Sequence, residues 1–185
     1  MRALLPAALG DACVPAASAY HPCAKLGGDV FGYDYLSPGV FSAYLVDVSG
    51  HGAGAAMHGV AVMNLLRQRA LLETDFTDPG AVLERLNALF QTDRHADMYF
   101  TIWYGVYDVA SRRLTYASGG HHPAYLVPSD RSAAVALGTR NAIIGAMPER
   151  RHVAQSIDVP PGVGLSVQRR GVRDRHAVRC RMAAR

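Results

Sequence analysis

The amino-acid sequence predicts an α+β fold built in layers. Short apolar segments with strand composition come first, two segments with helical spacing follow, and a further run of strand segments comes after them. Strands, consecutive helices and then antiparallel strands are typical of α+β architectures rather than of the alternating α/β class. With 185 residues, half of them hydrophobic, the chain is long enough to bury the core of one domain.

The first predicted strands bring two aspartates next to glycine-rich backbone. Asp29 lies in LGGDVFGYDYL, directly after two glycines that let a backbone approach a ligand closely. The segment from Val40 to Val48 has the composition of a buried strand, and Asp47 lies at its end, just before the glycine loop SGHGAG. Asp29 alone is also compatible with a turn residue. Asp47 is harder to explain that way, because a carboxylate ending a buried strand must be paired, hydrogen-bonded or metal-bound.

Two helices are predicted after the glycine loop. AAMHGVAVMNLLRQRALL carries apolar residues at helical spacing and indicates a helix packed by one face. Asp78 and Pro79 provide an N-cap and a first-turn proline for a second helix, PGAVLERLNALFQ.

The remaining strands are predicted to be antiparallel. Asp108 to Arg113 reads as the turn of a hairpin between MYFTIWYGVYD and RLTYAS. A third strand, HHPAYLV, follows the break at Gly119 and Gly120, and HVAQSIDV forms a last one before a Pro-Pro-Gly turn.

Asp29 and Asp47 together predict a site for a hard divalent cation. Such ions take oxygen ligands, and Mg²⁺ usually keeps several waters. Two ions about 3.5 to 4 Å apart activate a bridging water and stabilise the charge of a transferring phosphoryl group. A carboxylate such as Asp47 could bridge them, with the backbone carbonyl of Val48 as a further ligand. Two carboxylates are fewer than such a site normally needs, so the position of the others stays open.

The histidines offer a weaker signal. His51, in the loop after Asp47, is a candidate substrate-binding residue that donates to a bound phosphate. His58 is expected to be packed or solvated, and His121 and His122 to shape a turn. No H-E-x-x-H or Cys-His pattern indicates zinc, and Ser49 lies in no G-x-S-x-G elbow.

The positive charge of the chain is confined to one segment. Residues 163–185 hold seven arginines and one acidic residue, a net charge of +6, which leaves −2 for the rest of a chain whose total is +4. This segment lacks interleaved aromatic residues, so nucleic-acid binding is not expected.

The composition also indicates the compartment of the protein and the state of its cysteines. No apolar run reaches the roughly 18 residues of a membrane span, and the start of the chain lacks the pattern of a signal peptide. Cys13, Cys23 and Cys180 show no C-x-x-C pairing. We therefore expect a cytoplasmic domain with no membrane association, no zinc site and no disulfide framework.

Four segments carry a resemblance to a known family: LGGDVFGYDYL, LVDVSGHGAGAAM, MYFTIWYGVYD and LTYASGGHHPAYL. In the order and spacing of these segments, the chain resembles the bacterial PP2C-like (PPM-type) serine/threonine phosphatases of the sporulation and stress-response type. It is most similar in appearance to those fused behind a response-regulator receiver domain. The likeness runs from about Leu4 to Gly162.

The resemblance implies an α-β-β-α sandwich, Mn²⁺ or Mg²⁺ as cofactor, and hydrolysis of phosphoserine or phosphothreonine by metal-activated water. Asp29 and Asp47 match the first two metal-binding aspartates of the family, and Val48 matches the position whose carbonyl joins them. Family substrates are often small anti-anti-sigma proteins, which implies a role in signal transduction through partner switching.

The chain departs from the family after Gly162. The family continues with a strand ending in S-D-G and later a D-D-x-T segment, both supplying metal-binding aspartates, whereas this chain reads GLSVQRRGVRDRHAVRCRMAAR. We therefore predict a partial phosphatase domain at 1–162, C-terminally incomplete, with an incomplete two-metal site, and an aberrant basic tail at 163–185.

A shifted reading frame would account for this tail, and a natural basic tail is the alternative. One legal encoding of Val167 to Ala177, read one base over, gives F-S-D-G-V-Y-E-I-A, which restores the S-D-G strand. Two functions are favoured: a protein-serine/threonine phosphatase with impaired activity, and a catalytically inactive pseudophosphatase that acts as a protein-binding module. A nucleic-acid binder that uses the basic tail is a third, less favoured alternative.

Overall fold

In the part of the chain that the structure describes, two antiparallel five-stranded sheets stack face to face, and two helices cover one of them. The computed structural model describes residues 6, 8, 10, 14–21, 27–92, 98–130, 133–170 and 175–181. The elements in chain order are β1 (Ala16–His21), β2 (Val30–Ser37), β3 (Val40–Val48), α1 (Ala53–Arg67), α2 (Pro79–Leu89), β4 (Phe100–Asp108), β5 (Arg113–Gly119), β6 (Ala124–Val127), β7 (Val135–Leu137), β8 (Gln155–Asp158), β9 (Gly164–Arg170) and β10 (Arg175–Arg181). Cys13 and Cys23 lie outside the described ranges.

The central sheet has the order β2-β3-β4-β5-β8, and the second sheet has the order β1-β10-β9-β6-β7. Side chains alternate between the two faces of a strand. On β3, Val46 packs against the helices, on what we call the helix face of the central sheet. Its neighbour Leu45 packs against the second sheet, on the inter-sheet face.

Trp103 links the two sheets. Its side chain is fully buried on the inter-sheet face, and its indole Nε1 donates a hydrogen bond to the Leu137 carbonyl of β7 at 3.0 Å. The ring stacks on Tyr116 with 6.2 Å between centroids. Gly105, two residues along β4, leaves room for the indole, since a Cβ there would overlap it. Trp103 therefore links β4 to β7 across the inter-sheet core.

The helix face is covered by α1 and α2. The predicted start of α2 is confirmed: the Asp78 carboxylate accepts hydrogen bonds from the amides of Gly80 and Ala81, and Pro79 occupies the first turn. Beneath the helices, burial raises the pKa of the Tyr104 hydroxyl above its usual value, and this hydroxyl donates to the Phe76 carbonyl at 2.9 Å.

The predicted α+β class is confirmed, and so are the strand Val40–Val48 and the hairpin of β4 and β5. Within the described residues, both helices lie on the central sheet. One strand, β6, does not pair with the strand that precedes it in the sequence. β6 follows the predicted break but pairs with β7 and β9, so Gly120, with a φ of 67°, marks the point where the chain passes from one sheet to the other.

Part of the predicted basic tail forms strands. β9 lies between β6 and β10, and Leu165 and Val167 are buried in the inter-sheet core. Residues 171–174 and 182–185 of the tail lie outside the described ranges. The boundary between 162 and 163 and the shifted reading frame stay predictions. No helix in the described part of the chain combines the length and hydropathy needed to cross a membrane.

Candidate active site

Asp29 and Asp47 occupy neighbouring positions at one end of the central sheet. β2 pairs with β3 so that Val30 lies opposite Val46, and the backbone of Gly28 lies against Val48, so Asp29 between them lies beside Asp47. β3 pairs with β4 so that Asp47 lies opposite Thr101. Residues directly opposite in an antiparallel pair have Cβ atoms about 4.5 to 5.5 Å apart and share a face. The three residues therefore form a row across the end of the sheet.

The row faces the second sheet. Val30 and Val46, one position away along their strands, pack on the helix face, so alternation turns the row to the inter-sheet face. Asp29 is 6% exposed and Asp47 is half-buried. Carboxylates this deep require compensating hydrogen bonds or a cation.

Close backbone packing fixes the position of Asp29. A Cβ at Gly28 would overlap Val48 and the Ala55 carbonyl, and a Cβ at Gly59 would overlap the Gly28 carbonyl oxygen. The glycine before Asp29 therefore lets the backbone lie directly against α1. The sequence predicted a close approach at this position, and the partner in that approach is the helix.

The loop between β3 and α1 is tied to the start of β4. The Ser49 amide donates to the Tyr99 carbonyl at 2.9 Å, and the Tyr99 amide donates to the Ser49 hydroxyl at 3.1 Å. Gly50 and Gly52 have φ angles of 87° and 95°, which favour glycine. His51 lies between them and is exposed. The loop thus presents His51 to solvent beside the row, while the Val48 side chain is buried on the helix face.

His121 belongs to this end of the sheet, which the sequence did not indicate. Its Nδ1 lies 2.9 Å from the Thr101 hydroxyl oxygen, and its side chain is 7% exposed. The available signal was its position just after the Gly-Gly break, where the chain changes sheets. His122 is exposed, and His58 is packed edge-on against Phe90 and Phe100, as expected for a buried ring.

Two carboxylates are the acidic donors of the row. Among the described residues, no group of three or more His, Cys, Asp or Glu side chains is gathered as a metal site would require. Two neighbouring carboxylates fit one hard cation that keeps several waters, and they do not fit a two-ion site by themselves.

Comparison with known proteins identifies the family. The family model described as stage II sporulation protein E (SpoIIE) matches residues 37–167, well over half of the chain. The chain belongs to the SpoIIE family. The match covers Asp47, Val48, His51, Thr101 and His121 and begins after Asp29.

A curated relative and two solved structures are similar to this SpoIIE-family chain. The phosphoserine phosphatase RsbP of Bacillus subtilis (strain 168) is 31% identical over 111 residues, which are 58% of this chain and 27% of RsbP. The chain therefore spans about a quarter of that relative's length.

The crystal structure of the RsbU and RsbW domains of Rv1364c from Mycobacterium tuberculosis has a TM-score of 0.78 at 17% identity, covering 98% of this chain and 64% of that one. The structure of RsbX in complex with magnesium has a TM-score of 0.76 at 12% identity, covering 96% and 99%. The PP2C phosphatase domain of SpoIIE from Bacillus subtilis, solved with a fragment of its regulatory domain, has a TM-score of 0.75 at 16% identity, covering 91% of this chain and 63% of that one. These likenesses confirm a PP2C-like phosphatase fold.

Proposed function

We propose that this SpoIIE-family chain is a metal-dependent phosphatase domain that hydrolyses phosphoserine or phosphothreonine on a regulatory protein. The observation that carries the proposal is the placement of Asp29 beside Asp47, between the Val30–Val46 pair and the close approach of Gly28 to Val48. The family and the name of the relative RsbP, a phosphoserine phosphatase, support it.

Asp29, Asp47 and the carbonyl of Val48 would hold Mn²⁺ or Mg²⁺, because carboxylate and carbonyl oxygens suit these hard ions. A bound ion would stabilise phosphoryl charge and supply a water of lowered pKa. The two adjacent carboxylates repel each other, and a cation relieves that repulsion.

The loop beside the row would orient the phosphate. α1 begins with no side-chain cap and no acidic residue in its first turn. A helix N-terminus of this kind favours a negatively charged group, and the exposed His51 lies next to it as a second donor.

A metal-dependent assay tests the proposal. We expect hydrolysis of p-nitrophenyl phosphate and of a phosphoserine peptide with Mn²⁺, and a loss of at least about 100-fold in Asp47→Asn, equivalent to about 2.7 kcal/mol of barrier. Asp34→Asn is the matched control, since Asp34 lies exposed on β2 outside the row. Equal activity in Asp47→Asn and the wild type would contradict the assignment.

The pseudophosphatase is the second candidate, and the small donor set of the described residues favours it. It is distinguished by the same assay together with a binding measurement. A wild-type chain that binds the regulatory protein equally well with and without metal, and turns over neither substrate, would establish the binding module.

We also propose that the residues after 162 are read in a shifted frame. β9 runs antiparallel to β6, so its Arg169 and Arg170 end leads back toward the start of β6 and His121. The shifted frame would supply an aspartate at this end. Sequencing the coding DNA through codons 160 to 185 tests the idea, and codons that give no S-D-G in either shifted frame would reject it.

The regulatory partner is proposed to be a phosphorylated anti-anti-sigma protein, with the whole protein cytoplasmic and carrying a response-regulator receiver domain. The resemblance in the four sequence segments supports this choice. Mass spectrometry of candidate phosphoproteins before and after incubation with the chain and Mn²⁺ would identify the substrate.

A further inference from the structure

We propose that the Ser49 side chain is a positioning group that aims the backbone carbonyl of Val48 toward the carboxylates of the row. The inference rests on the proposed function for its purpose, since that function makes the Val48 carbonyl a metal ligand. Its geometry rests on two hydrogen bonds and one peptide plane, which are features of the protein alone.

Ser49 extends the pairing of β3 and β4 by one position. The paired strands end with Val48 opposite Phe100. At the next position the Ser49 amide donates to the Tyr99 carbonyl at 2.9 Å, and the Tyr99 amide donates to the Ser49 hydroxyl oxygen at 3.1 Å. A regular antiparallel pair of this kind exchanges both bonds between backbone groups. Here the side chain accepts in place of its own carbonyl, so the ladder continues while the backbone turns into the loop at Gly50, whose φ is 87°.

The Ser49 amide fixes the direction of the Val48 carbonyl. These two groups belong to one peptide unit, which is planar and trans, so its N–H and C=O bonds point in opposite directions. Because the N–H bond points to Tyr99 on the β4 side, the carbonyl oxygen points to the β2 side. On that side the backbone of Gly28 lies against Val48, and Asp29 is the next residue.

The Val48 carbonyl is directed past the end of the β2–β3 pairing. That pairing ends with Val30 opposite Val46, two positions short of Val48. The register of the two strands therefore supplies no partner for this oxygen. Carbonyl and carboxylate oxygens are the ligands that Mg²⁺ and Mn²⁺ prefer. An oxygen that points into this gap is placed to meet a cation held by the neighbouring carboxylates.

The hydroxyl matters because the end of a ladder is where local opening costs least free energy. Without it, the Tyr99 amide loses its acceptor, and the bond from the Ser49 amide becomes the last of the ladder, next to a conformationally free glycine. A peptide unit that turns away from this position takes the Val48 oxygen out of the gap. Loss of a group that orients a metal ligand lowers metal affinity or activity about 10- to 100-fold.

Amide hydrogen exchange of the metal-free protein, followed by NMR, provides the first test. Ser49→Ala should speed exchange of the Tyr99 amide and of the amide at position 49 by about tenfold, as expected for the loss of one hydrogen bond. Ser49→Thr keeps the hydroxyl and should not. The indole N–H of Trp103, which is held by the Leu137 carbonyl, is the internal control for the fold. Equal exchange of the Tyr99 amide in Ser49→Ala and the wild type would overturn the proposal.

Metal affinity provides the second test. Ser49→Ala should weaken Mn²⁺ binding, measured from the EPR signal of free Mn²⁺, by about tenfold, whereas Ser49→Thr should retain it. Ser156→Ala is the matched control, since the Ser156 hydroxyl pairs with Thr115 at 3.0 Å elsewhere on the central sheet. Equal affinities for the wild type and Ser49→Ala would also overturn the proposal.

The carbonyl itself can be observed in the wild type. Val48 is the only valine that a serine follows, so valine labelled with ¹³C at the carbonyl and serine labelled with ¹⁵N give one NMR signal for this peptide unit. Saturating Mg²⁺ should shift that signal. A signal that Mg²⁺ leaves unchanged in a chain that binds the ion would overturn the proposal.

Two safeguards keep the outcome decisive. If Ser49→Ala does not fold, Ser49→Cys gives the same comparison, because a thiol keeps the shape of the side chain but is a weak acceptor. A wild-type chain that binds no Mn²⁺ would contradict the metal dependence of the proposed function. Exchange of the Tyr99 amide would then decide alone whether the Ser49 hydroxyl holds the peptide unit in place.

Discussion

The two sheets differ in how far they are tied to the candidate site. At that end the central sheet presents Asp29 and Asp47. In the second sheet, the backbone pairing of β9 with β10 runs as far as Arg170 opposite Arg175. Further along, Leu165 and Val167 of β9 pack in the same inter-sheet core as β4. The apolar side chains of β9 therefore contribute to the inter-sheet core without contributing a carboxylate to the site.

Removing the indole that joins the sheets is expected to have the largest effect. Trp103→Ala should lower the free energy of unfolding by about 3 to 5 kcal/mol, because a fully buried ring and its bond to the Leu137 carbonyl are lost. Urea denaturation measures this. Trp103→Phe, which keeps an aromatic ring, should lose less. A loss below about 1 kcal/mol in Trp103→Ala would mean that the sheets are stabilised independently.

Shortening a buried side chain of β9 tests whether the stability of the fold depends on residues of the predicted tail. Leu165→Ala should destabilise the chain by about 2 to 5 kcal/mol, since Leu165 is 2% exposed. Leu72→Ala is the matched control at a residue 72% exposed, where a change within about 0.5 kcal/mol is expected. If both variants unfold like the wild type, residues after 162 lie outside the cooperative fold and the predicted boundary stands.

The sequence predicted the fold class and several of its elements, but not which strands pair with each other. The composition of Val40–Val48 and the Asp78-Pro79 pair indicated a strand and a helix start, because both signals are local. The destination of β6 depends on its long-range partner β9, to which no local pattern refers. In β9 the arginines outweigh, in composition, the alternation of Leu165 and Val167, so the local pattern does not indicate the strand.

Adding an aspartate at the end of β9 would test whether this strand can complete the site. Replacing Val167–Arg170 by F-S-D-G (V167F, Q168S, R169D and R170G) should raise Mn²⁺-dependent turnover of p-nitrophenyl phosphate about 100-fold, or about 2.7 kcal/mol of barrier, by adding a carboxylate at the site. Arg150→Asp together with Arg151→Gly changes the net charge by the same three units on an exposed loop and is the control. Turnover that rises equally in both would indicate a general electrostatic effect.

The candidate site was predictable only in part. Asp29 and Asp47 stand out because carboxylates are unusual beside buried strand segments and glycines. Thr101 carries no such signal, since threonine is ordinary in a strand. His121 acquires meaning only from its contact with Thr101, which lies twenty residues earlier in the chain.

The smallest expected effect is a gain in stability from removing site charge. Like charges side by side on one face of a sheet are destabilising, so Asp47→Asn should raise the free energy of unfolding by about 0.2 to 1 kcal/mol in EDTA. Excess Mn²⁺ should reverse the order, because an ion that binds the folded wild type stabilises it alone. Thermal unfolding of both proteins in both conditions measures the crossover. Wild type and Asp47→Asn with the same dependence on Mn²⁺ would show that the acidic end of the central sheet is not where the ion binds.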